Sequence, residues 1–572
     1  MQTVEAVVLN SVQVQEPFLN QKVHTSPRLR PGVILLLFVL VFAAFFVRAY
    51  HLGAAGLSED ETHKVFAVRA YAQGDFASNA EHPMLMKMLC ARSLEACEIW
   101  NRIAGDRPVL AVSEEAAIRL PNALFGALTV VPLFLLAQSL FGFRIGVITS
   151  ILWTLGLNAV WFNRIAKEDT LLVFFMLTAF YLYNLAKNRP ERDERTQERL
   201  YGFAGAAFGL MLSSKYFPHY IGLFQLYYYL AAYDSKNNRP LTRRMWVRHY
   251  GALFGTLLVF NFAIFAPDTW RYLWSYLSED LQTHHGYIMM GRLYPNEISD
   301  TPAGTPWYFY WLYLAVKLPL PLLAMFLAGA VDVFRRRNAG DNRRGYLFLR
   351  VMLFAWLVPM CIVGSKFLRY TLGLIPFVYM AAAIGAVLID SYLRGMINRL
   401  SDSHDLLIGL PRRALTAGCR TALVVIVALP ALALARYQDS PGLFTNSIGG
   451  NRIGWFFPHD EFYDLGARES IKFLAESAPP GSIVASEIPG VMQYYLARFN
   501  RQDITSIEIT EANSDASRQA DFTIVQPGRV YFENRNRLAW IKKACPLLQS
   551  SSFEGEVTSA VYFTGSNIPN GE

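Results

Sequence analysis

Long apolar stretches separated by short polar segments dominate this chain. The first stretch follows Arg30 and reads PGVILLLFVLVFAAFFV, and Arg48 closes it. A helix needs about 20 apolar residues, and no fewer than about 17, to cross the hydrocarbon core of a bilayer. Further stretches approach this length at 120–143, 145–163, 170–186, 200–214, 217–233, 251–267, 306–333, 351–365, 370–389 and 421–435. The pattern predicts an all-α polytopic membrane protein with about eleven transmembrane helices.

The pattern changes at residue 437. Strand-like runs such as SIVASE, DITSIEI and DFTIVQP alternate there with helix-like segments such as ARESIKFLAESA and ENRNRLAWIKKA. Such alternation is typical of a small α/β domain. We therefore expect a cytoplasmic segment at 1–30, a transmembrane domain at 31–436 with a long loop at 49–118, and an extracytoplasmic α/β domain at 437–572.

The composition fits a membrane protein that carries a substantial polar part. Hydrophobic residues make up 53% of the chain and charged residues 17%, below the roughly 25% charge of soluble domains. The mean hydropathy is only +0.23, so a polar region must dilute the apolar segments. The net charge of +8 is spread over short loops, which argues against a nucleic-acid partner. The five cysteines form no C-x-x-C pair, so neither a disulfide framework nor a zinc site is expected.

Basic residues mark alternate loops, as the positive-inside rule requires of cytoplasmic loops. If the N-terminal segment is cytoplasmic, every other loop on its side is also basic. The residues concerned are Arg144, Lys187, Arg189, Arg192, Arg195, Arg199, Lys236, Arg239, Arg243, Arg244, Arg248, Arg335, Arg336, Arg337, Arg343, Arg344, Arg394, Arg399, Arg412 and Arg413. The opposite, outer face then carries the loop 49–118, the α/β domain and the candidate chemical groups.

Two acidic sites fall on this outer face. The segment LSEDETHK contains Glu59, Asp60 and Glu61 just beyond the first span; alone, it is equally well explained as a solvated acidic loop. Glu168 and Asp169 lie at the mouth of the third and fourth spans, where charges are costly unless they are solvated or paired. Two acidic sites from separate loops suggest a general base and a partner that positions the base or a substrate.

Cationic groups are predicted on the same face. Each one alone is more often an interfacial anchor, but a converging set suits an anionic lipid head group such as a phosphate. The set comprises Arg119, Arg164, Lys167, Lys215, Lys366 and Arg369, with His284 and His285. These cations leave no need for a metal or other cofactor, although the two acidic sites could hold a divalent ion.

The motifs LSEDETHKVFAVRAYAQGDF, EHPMLMKML, AAIRLPNALFGALTVVPLFLLAQSLFG, NRIAKEDTLLVFFMLTAFYLY, SSKYFPHYIGLF, HHGYIMMGRLYPN and SKFLRYTLGLIPF follow one another in this order. The series resembles the GT-C glycosyltransferases, in particular the protein O-mannosyltransferase and aminoarabinose-transferase branch. The resemblance covers roughly residues 31–395. It implies a GT-C-like fold, a polyprenyl-phosphate sugar donor and a bacterial inner membrane, with the active site facing the periplasm.

The resemblance also assigns catalytic roles. Asp60 matches the family's catalytic base, Glu61 its acidic neighbour, and Asp169 the second acidic position. Burial and the charge of Glu61 are expected to raise the pKa of Asp60 from its ordinary value near 3.9.

Carrier-phosphate binding is implied for a second group of residues. Arg119 and Lys215 fall where the family contacts the carrier phosphate. His82 stands where relatives carry His or Lys before a Pro-Pro pair, which is Pro83-Met84 here. The cations and histidines expected to complete this group are Lys366, Arg369, His284 and His285.

The predicted function is an inverting hexosyl- or pentosyltransferase. The hydroxyl of a protein Ser or Thr, a lipid or a glycan would attack the anomeric carbon of the sugar while the carrier phosphate leaves. One alternative is a ligase or polymerase that transfers a whole glycan from a pyrophosphate carrier. Another is a lipid or solute transporter, which predicts charges near midspan on inverted repeats, whereas the carboxylates here cluster at one face.

Overall fold

The computed structural model describes residues 30–105, 107, 110–189, 193–233, 240–278, 284–335, 343–402, 412–509 and 519–565. The predicted cytoplasmic segment, apart from Arg30, lies outside these residues. Up to residue 436 the described chain is mainly helical. The helices are α1 Pro31–Ala49, α2 Glu59–Ala72, α3 Met84–Ala104, α4 Glu114–Leu128, α5 Val130–Phe141, α6 Phe143–Leu155, α7 Leu157–Asn163, α8 Asp169–Lys187, α9 Glu194–Ser214, α10 His219–Tyr233, α11 Arg243–Phe260, α12 Pro267–Leu277, α13 Phe309–Lys317, α14 Leu320–Arg335, α15 Arg343–Ile362, α16 Ile375–Asp402, α17 Arg412–Ala428 and α18 Pro430–Arg436.

Five helical runs in the described chain are long and apolar enough to cross a membrane: Pro31–Ala49, Glu114–Phe141, Asp169–Lys187, Arg343–Ile362 and Ile375–Ile397. Helices α6 and α7 make a sixth if they are counted as one broken span. The predicted helical membrane architecture is confirmed, whereas the predicted number of eleven spans is not. One reason is visible at 306–333, where the chain breaks after Lys317 into the two shorter helices α13 and α14.

Two buried arginines stabilise the broken span. Helices α6 and α7 meet at Gly156 with a bend of 56°, and such a break leaves the last carbonyls of α6 without helical partners. Arg48, which is fully buried, donates a hydrogen bond of 2.9 Å to the carbonyl of Trp153. Arg164 donates in turn to the carbonyls of Arg48 at 3.1 Å and Tyr50 at 2.6 Å. The segment after α7 is therefore fixed against the end of α1.

Glycines allow one pair of central helices to approach very closely. A Cβ atom at Gly329 of α14 would lie 1.8 Å from the carbonyl oxygen of Ala381, and one at Gly385 of α16 would lie 1.9 Å from that of Met325. Real Cβ atoms do not approach backbone oxygens this closely. Only glycine therefore permits this crossing, as is common where transmembrane helices pack backbone to backbone.

The chain after residue 436 adds a small sheet with flanking helices. Its strands are β3 Ile483–Ala485, β4 Thr505–Ile507, β5 Phe522–Val525, β6 Leu547–Phe553 and β7 Glu556–Phe563, and its helices are α19 Pro458–Phe462, α20 Ala467–Ser477, α21 Pro489–Arg498 and α22 Arg535–Ala544. The strand order is β4-β3-β5-β7-β6, with β3 parallel to β4 and β5, and β7 antiparallel to β5 and β6. A short hairpin, β1 Tyr287–Met289 with β2 Arg292–Tyr294, precedes α13. The predicted mixture of strands and helices in this region is confirmed.

This C-terminal region packs directly onto the helices. One buried apolar cluster includes Leu57 and Ile118 from the helical part together with Ile471 and Val491 from the C-terminal part. The hydroxyl of Tyr495 accepts a hydrogen bond of 2.7 Å from the backbone N–H of Leu57. The two parts therefore share a core, and the loops at one end of the helix bundle lie between them.

Candidate functional site

Asp60 lies in the first turn of α2. The backbone N–H of Ser58 donates a hydrogen bond of 3.0 Å to the Glu61 carboxylate. The sequence SEDE therefore caps the N-terminus of the helix. Acidic side chains in a first turn are also favoured by the helix dipole. The local sequence thus holds the Asp60 carboxylate at the start of a well-defined helix.

Three donors from three distant segments converge on Asp60. Lys167 Nζ lies 2.6 Å from its Oδ1. Arg369 Nη1 lies 3.1 Å from Oδ2, and the hydroxyl of Tyr463 donates a hydrogen bond of 2.7 Å to the same oxygen. The α7–α8 turn, the segment before α16 and the C-terminal domain therefore meet at one carboxylate.

The expected upward shift of the Asp60 pKa is wrong. Burial raises the pKa, but the charges of Lys167 and Arg369 and the hydrogen bonds from Lys167 and Tyr463 outweigh burial and hold the pKa of Asp60 well below its ordinary value. Ionic and hydrogen-bonded partners favour the charged form of a carboxyl group. Asp60 is therefore ionised, and in this state it is a weak base.

Glu61 and Arg119 form a buried pair that does not face Asp60. Arg119 Nε and Nη2 each lie 2.7 Å from the Glu61 carboxylate. Its remaining N–H groups donate to the backbone carbonyls of Leu52, Ala55 and Gly56. All five donors of the guanidinium group are thus engaged. This geometry does not support the predicted phosphate contact of Arg119, and it makes Glu61 a partner of Arg119.

A second charged cluster, formed by Glu168, Lys64 and His82, lies next to Lys167. Glu168 is fully buried, and its carboxylate lies 2.7 Å from Nζ of the equally buried Lys64. His82 Nε2 lies 3.3 Å from Lys167 Nζ, and His82 Nδ1 lies 3.9 Å from the Glu168 carboxylate. Burial lowers the pKa of His82 well below its ordinary value. His82 is therefore neutral and accepts from Lys167, which places it beside the Asp60 cluster.

Asp169 and Lys215 form a third pair. Lys215 Nζ lies 2.6 Å from Asp169 Oδ1, and both side chains are buried. The ammonium group also lies 4.7 Å from the ring centroid of Phe217 and 4.6 Å from that of Tyr370, as in cation–π contacts. Asp169 Oδ2 has no hydrogen-bond partner among the described residues.

A small cavity is lined by residues of the Asp60 and Asp169 clusters. Its lining comprises Trp161, Phe162, Ile165, Lys167, Asp169, Arg369, Asp460 and Tyr463. The lining is mixed, since three aromatic rings stand beside two carboxylates and two cations. Aromatic faces beside cations are the groups that recognise a ring with one apolar face and an anionic group.

Three of the predicted cations and histidines lie away from this cavity. Lys366 Nζ donates to the backbone carbonyls of Thr305, at 2.6 Å, and Val363. His284 Nε2 lies 2.6 Å from Glu487. His285 Nδ1 lies 2.6 Å from Glu533. Lys366 therefore fixes the loop before α13, and the two histidines attach that loop to the C-terminal domain.

Tyr463 and Asp460 are residues of the cavity that the sequence does not reveal. Asp460 Oδ2 accepts hydrogen bonds from the hydroxyl of Tyr287 at 2.5 Å and from the backbone N–H of Leu368 at 3.0 Å. Burial raises the pKa of Asp460 above its ordinary value. Both residues come from a segment about 400 positions beyond Asp60 along the chain. No local motif marks them.

Comparison with solved structures identifies the fold. The structure of ArnT from Cupriavidus metallidurans bound to undecaprenyl phosphate matches over 95% of this chain and 99% of that one, with a TM-score of 0.50 and 15% sequence identity. The fold is GT-C-like. The apo structure of the same ArnT matches over the same shares, with a TM-score of 0.50 and 14% identity. The predicted resemblance to GT-C glycosyltransferases is thereby confirmed.

Two further comparisons concern a protein family and a second solved structure. Residues 109–267 match the family described as dolichyl-phosphate-mannose-protein mannosyltransferase. The oligosaccharyltransferase AglB from Archaeoglobus fulgidus, in complex with an inhibitory peptide and a dolichol-phosphate, matches over 94% of this chain and 75% of that one, with a TM-score of 0.48 and 11% identity. No curated protein is similar to the chain at a significant level.

Proposed function

We propose that this chain is an inverting glycosyltransferase that transfers a hexose or pentose from a polyprenyl monophosphate to an acceptor hydroxyl, with Asp60 as the base. The observation that carries the proposal is the cluster in which Asp60 meets Lys167 and Arg369. These two cations line one small cavity together with Asp169, the partner of Lys215. A carboxylate to take a proton and cations to receive a phosphate are the two groups that the transfer needs.

In the proposed reaction the acceptor oxygen attacks the anomeric carbon of the sugar, and Asp60 takes the acceptor's proton. The bond from that carbon to the carrier phosphate breaks on the opposite side, so the configuration inverts. Arg369 donates one hydrogen bond among the described residues, to Asp60, and its other N–H groups suit the phosphate oxygens. Lys215, held beside Asp169, adds a second charge to stabilise the leaving group.

Donor binding also activates the base. The low pKa of Asp60 results from the nearby charges of Lys167 and Arg369, which outweigh its burial. A phosphate bound at Arg369 offsets that positive charge, so the pKa of Asp60 rises toward a value useful in general-base catalysis. The donor therefore binds first, and Asp60 becomes a competent base only when a sugar is in place.

The remaining predicted residues receive narrower roles. We assign Asp169 to holding Lys215 and to contacting the sugar through its unpartnered oxygen. We assign His82 to orienting Lys167. Arg119 and Glu61 hold the start of α2, and we leave Lys366, His284 and His285 out of the phosphate site because their side chains contact the loop before α13 and the C-terminal domain.

The proposal extends to the setting of the enzyme. We propose a bacterial inner membrane crossed about eleven times, with the cavity and the C-terminal domain on the periplasmic side and the basic loops in the cytoplasm. The acceptor is a protein, a lipid or a glycan. No nucleic acid takes part, and the reaction requires no metal or other cofactor.

The test is the release of sugar from labelled undecaprenyl-monophosphate mannose by the purified protein, extended to other monophosphate-linked sugars. We expect Asp60→Asn to bind donor but to lower turnover by about 100- to 10,000-fold, the usual contribution of a general base. Asp75→Asn is the matched control, because Asp75 follows α2 and its carboxylate caps only the N–H of Ala77.

Three results would change the assignment. Equal turnover by wild type and Asp60→Asn would remove Asp60 as the base and leave Asp169 as the leading candidate. Consumption of a pyrophosphate-linked glycan, with every monophosphate donor untouched, would identify a ligase or polymerase instead. Transport of intact donor without cleavage would favour a transporter.

A further inference from the structure

Tyr463 lines the cavity, and its backbone adopts an unusual conformation. It follows the short helix α19, and φ is +46° at Tyr463 and +64° at Asp464. Two successive residues with side chains rarely adopt this left-handed region, and they persist there only when the surroundings hold them. The position of the Tyr463 side chain is therefore imposed by its contacts.

Arg529 holds the residue that follows Tyr463. Its Nε and Nη2 lie 2.7 Å and 2.6 Å from the carboxylate of Asp464, and its Nη1 lies 2.6 Å from that of Glu59. The backbone N–H of Glu59 also donates to Asp464 at 2.9 Å. Arg529 therefore links Asp464, which follows Tyr463, to Glu59, which precedes Asp60. This link keeps the Tyr463 hydroxyl within hydrogen-bond distance of the Asp60 carboxylate.

Tyr463 differs from the other two donors on Asp60. Lys167 and Arg369 are cations, and separating a cation from a largely buried carboxylate is costly. Tyr463 donates a neutral hydroxyl, and the combined effect of burial and the Asp60 charge raises its pKa well above the ordinary value. Only this donor can be replaced without a loss of charge, and an acceptor hydroxyl is its chemical equivalent.

We propose that the Tyr463 hydroxyl occupies the acceptor position on Asp60, and that the acceptor enters beneath the C-terminal domain and displaces it. This inference rests on the proposed function. In the resting enzyme the phenol occupies one hydrogen-bonding position of Asp60 Oδ2. A water molecule at that position must first displace the phenol, so the donor is protected from hydrolysis until an acceptor arrives. The C-terminal domain is then the acceptor-facing half of the site.

The chemistry balances for either acceptor. With an alcohol, the O–H bond breaks, its proton goes to Asp60, a bond from oxygen to the anomeric carbon forms, and the carrier phosphate leaves with the bonding pair. With water the same bonds form and break and the product is free sugar. Asp60 then returns its proton to solvent. Tyr463 keeps its proton throughout.

The first test uses dicyclohexylcarbodiimide, which modifies carboxyl groups that are both accessible and protonated and needs no sugar donor. Labelling is run at mildly acidic pH, so that a fraction of Asp60 is protonated. Tyr463→Phe keeps the ring and removes the hydroxyl, so we expect modification of Asp60, quantified by peptide mass spectrometry, to rise about tenfold over wild type. Tyr495→Phe is the matched control, because the Tyr495 hydroxyl also bonds across the same interface but to Leu57 and Glu115. Unchanged labelling in Tyr463→Phe, or an equal rise in the control, would overturn the inference.

The second test measures free mannose released from undecaprenyl-monophosphate mannose without acceptor. We expect about tenfold faster release by Tyr463→Phe than by wild type, and no change in Tyr495→Phe. Slower release by Tyr463→Phe would show that the phenol assists the reaction, and the inference would fail. If Tyr463→Phe releases no more sugar than wild type although wild type transfers sugar when acceptors are present, the inference fails. If wild type transfers no sugar from any donor to any acceptor, the proposed function fails, while the labelling at Asp60 still decides where Tyr463 acts.

Discussion

Two arginine–glutamate pairs of this chain have the same length but different surroundings. The distance from arginine Nη to glutamate Oε is 2.7 Å both for Arg119–Glu61 and for Arg92–Glu95. The side chains of the first pair are 7% and 1% exposed, and those of the second are 80% and 58% exposed. Water and salt screen the exposed pair, whose contribution to stability is about 0–1 kcal/mol. Removing one member of a buried pair instead leaves an uncompensated charge.

We therefore expect Glu61→Gln to lower the free energy of unfolding by about 3–5 kcal/mol. Glu95→Gln, the control on α3, should lower it by no more than about 0.5 kcal/mol. Denaturant unfolding in mixed micelles, followed by tryptophan fluorescence, measures both changes. A small effect of Glu61→Gln, comparable to the control, would show that burial does not determine how much this pair contributes to the free energy of unfolding.

At this scale the sequence predicts part of the site. Asp60, Asp169 and Lys215 come together as expected, because each stands where a helix begins or ends at the same end of the bundle. Arg119 is a cation at the outer end of its helix, as a phosphate-binding residue would be. Its N–H donors, however, are engaged by Glu61 and by backbone carbonyls. The sequence cannot show which cation is already engaged, since that depends on where the backbone between α1 and α2 turns.

The helices of this chain depend on close packing as well as on the length of their apolar runs. Apolar runs predict that the chain forms membrane helices, and α1, α8 and α16 coincide with such runs. The same runs do not show that 306–333 is broken after Lys317. There the Lys317 ammonium group lies 2.7 Å from Glu461 of the C-terminal domain, and this tertiary partner allows a charge to interrupt an apolar stretch.

Glycines of α16 allow a direct test of helix packing. Gly385 meets the backbone of α14, whereas a Cβ at Gly395 of the same helix meets nothing within 4 Å. We expect Gly385→Ala to force the two helices apart and to lower the apparent Tm by several degrees. Gly395→Ala should keep or raise the Tm, because alanine favours helix formation by up to about 1 kcal/mol over glycine. Equal Tm values for the two variants would contradict the close crossing.

At the scale of the whole molecule, His284 makes the attachment of the C-terminal domain sensitive to pH. Burial lowers the pKa of His284, but the hydrogen bond and charge of Glu487 outweigh burial, with Glu59 in support and Arg529 opposed, so the pKa is raised above 6.5. A raised pKa in the folded state means stabilisation that is complete below pH 6.5 and is lost as the pH rises through the folded value.

The expected result is a Tm difference between wild type and His284→Asn that is largest near pH 6 and shrinks toward pH 9. Thermal unfolding at a series of pH values measures it. His51→Asn is the control, because the 3.6 Å pair of His51 with Asp439 is exposed on both sides and contributes little. A Tm difference for His284→Asn that stays constant with pH would show that the histidine acts by packing alone.

The position of β7 in the sheet has a consequence for biosynthesis. This strand lies between β5 and β6, yet it is the last strand of the described chain to leave the ribosome. Translation proceeds at about 5–20 residues per second, so the helices up to residue 436 leave the ribosome well before β7 can complete the sheet. A chain interrupted before β7 would lack the strand that joins β6 to the rest of the sheet. The C-terminal sheet is therefore expected to be the last part of the described chain to fold, after the helices have formed.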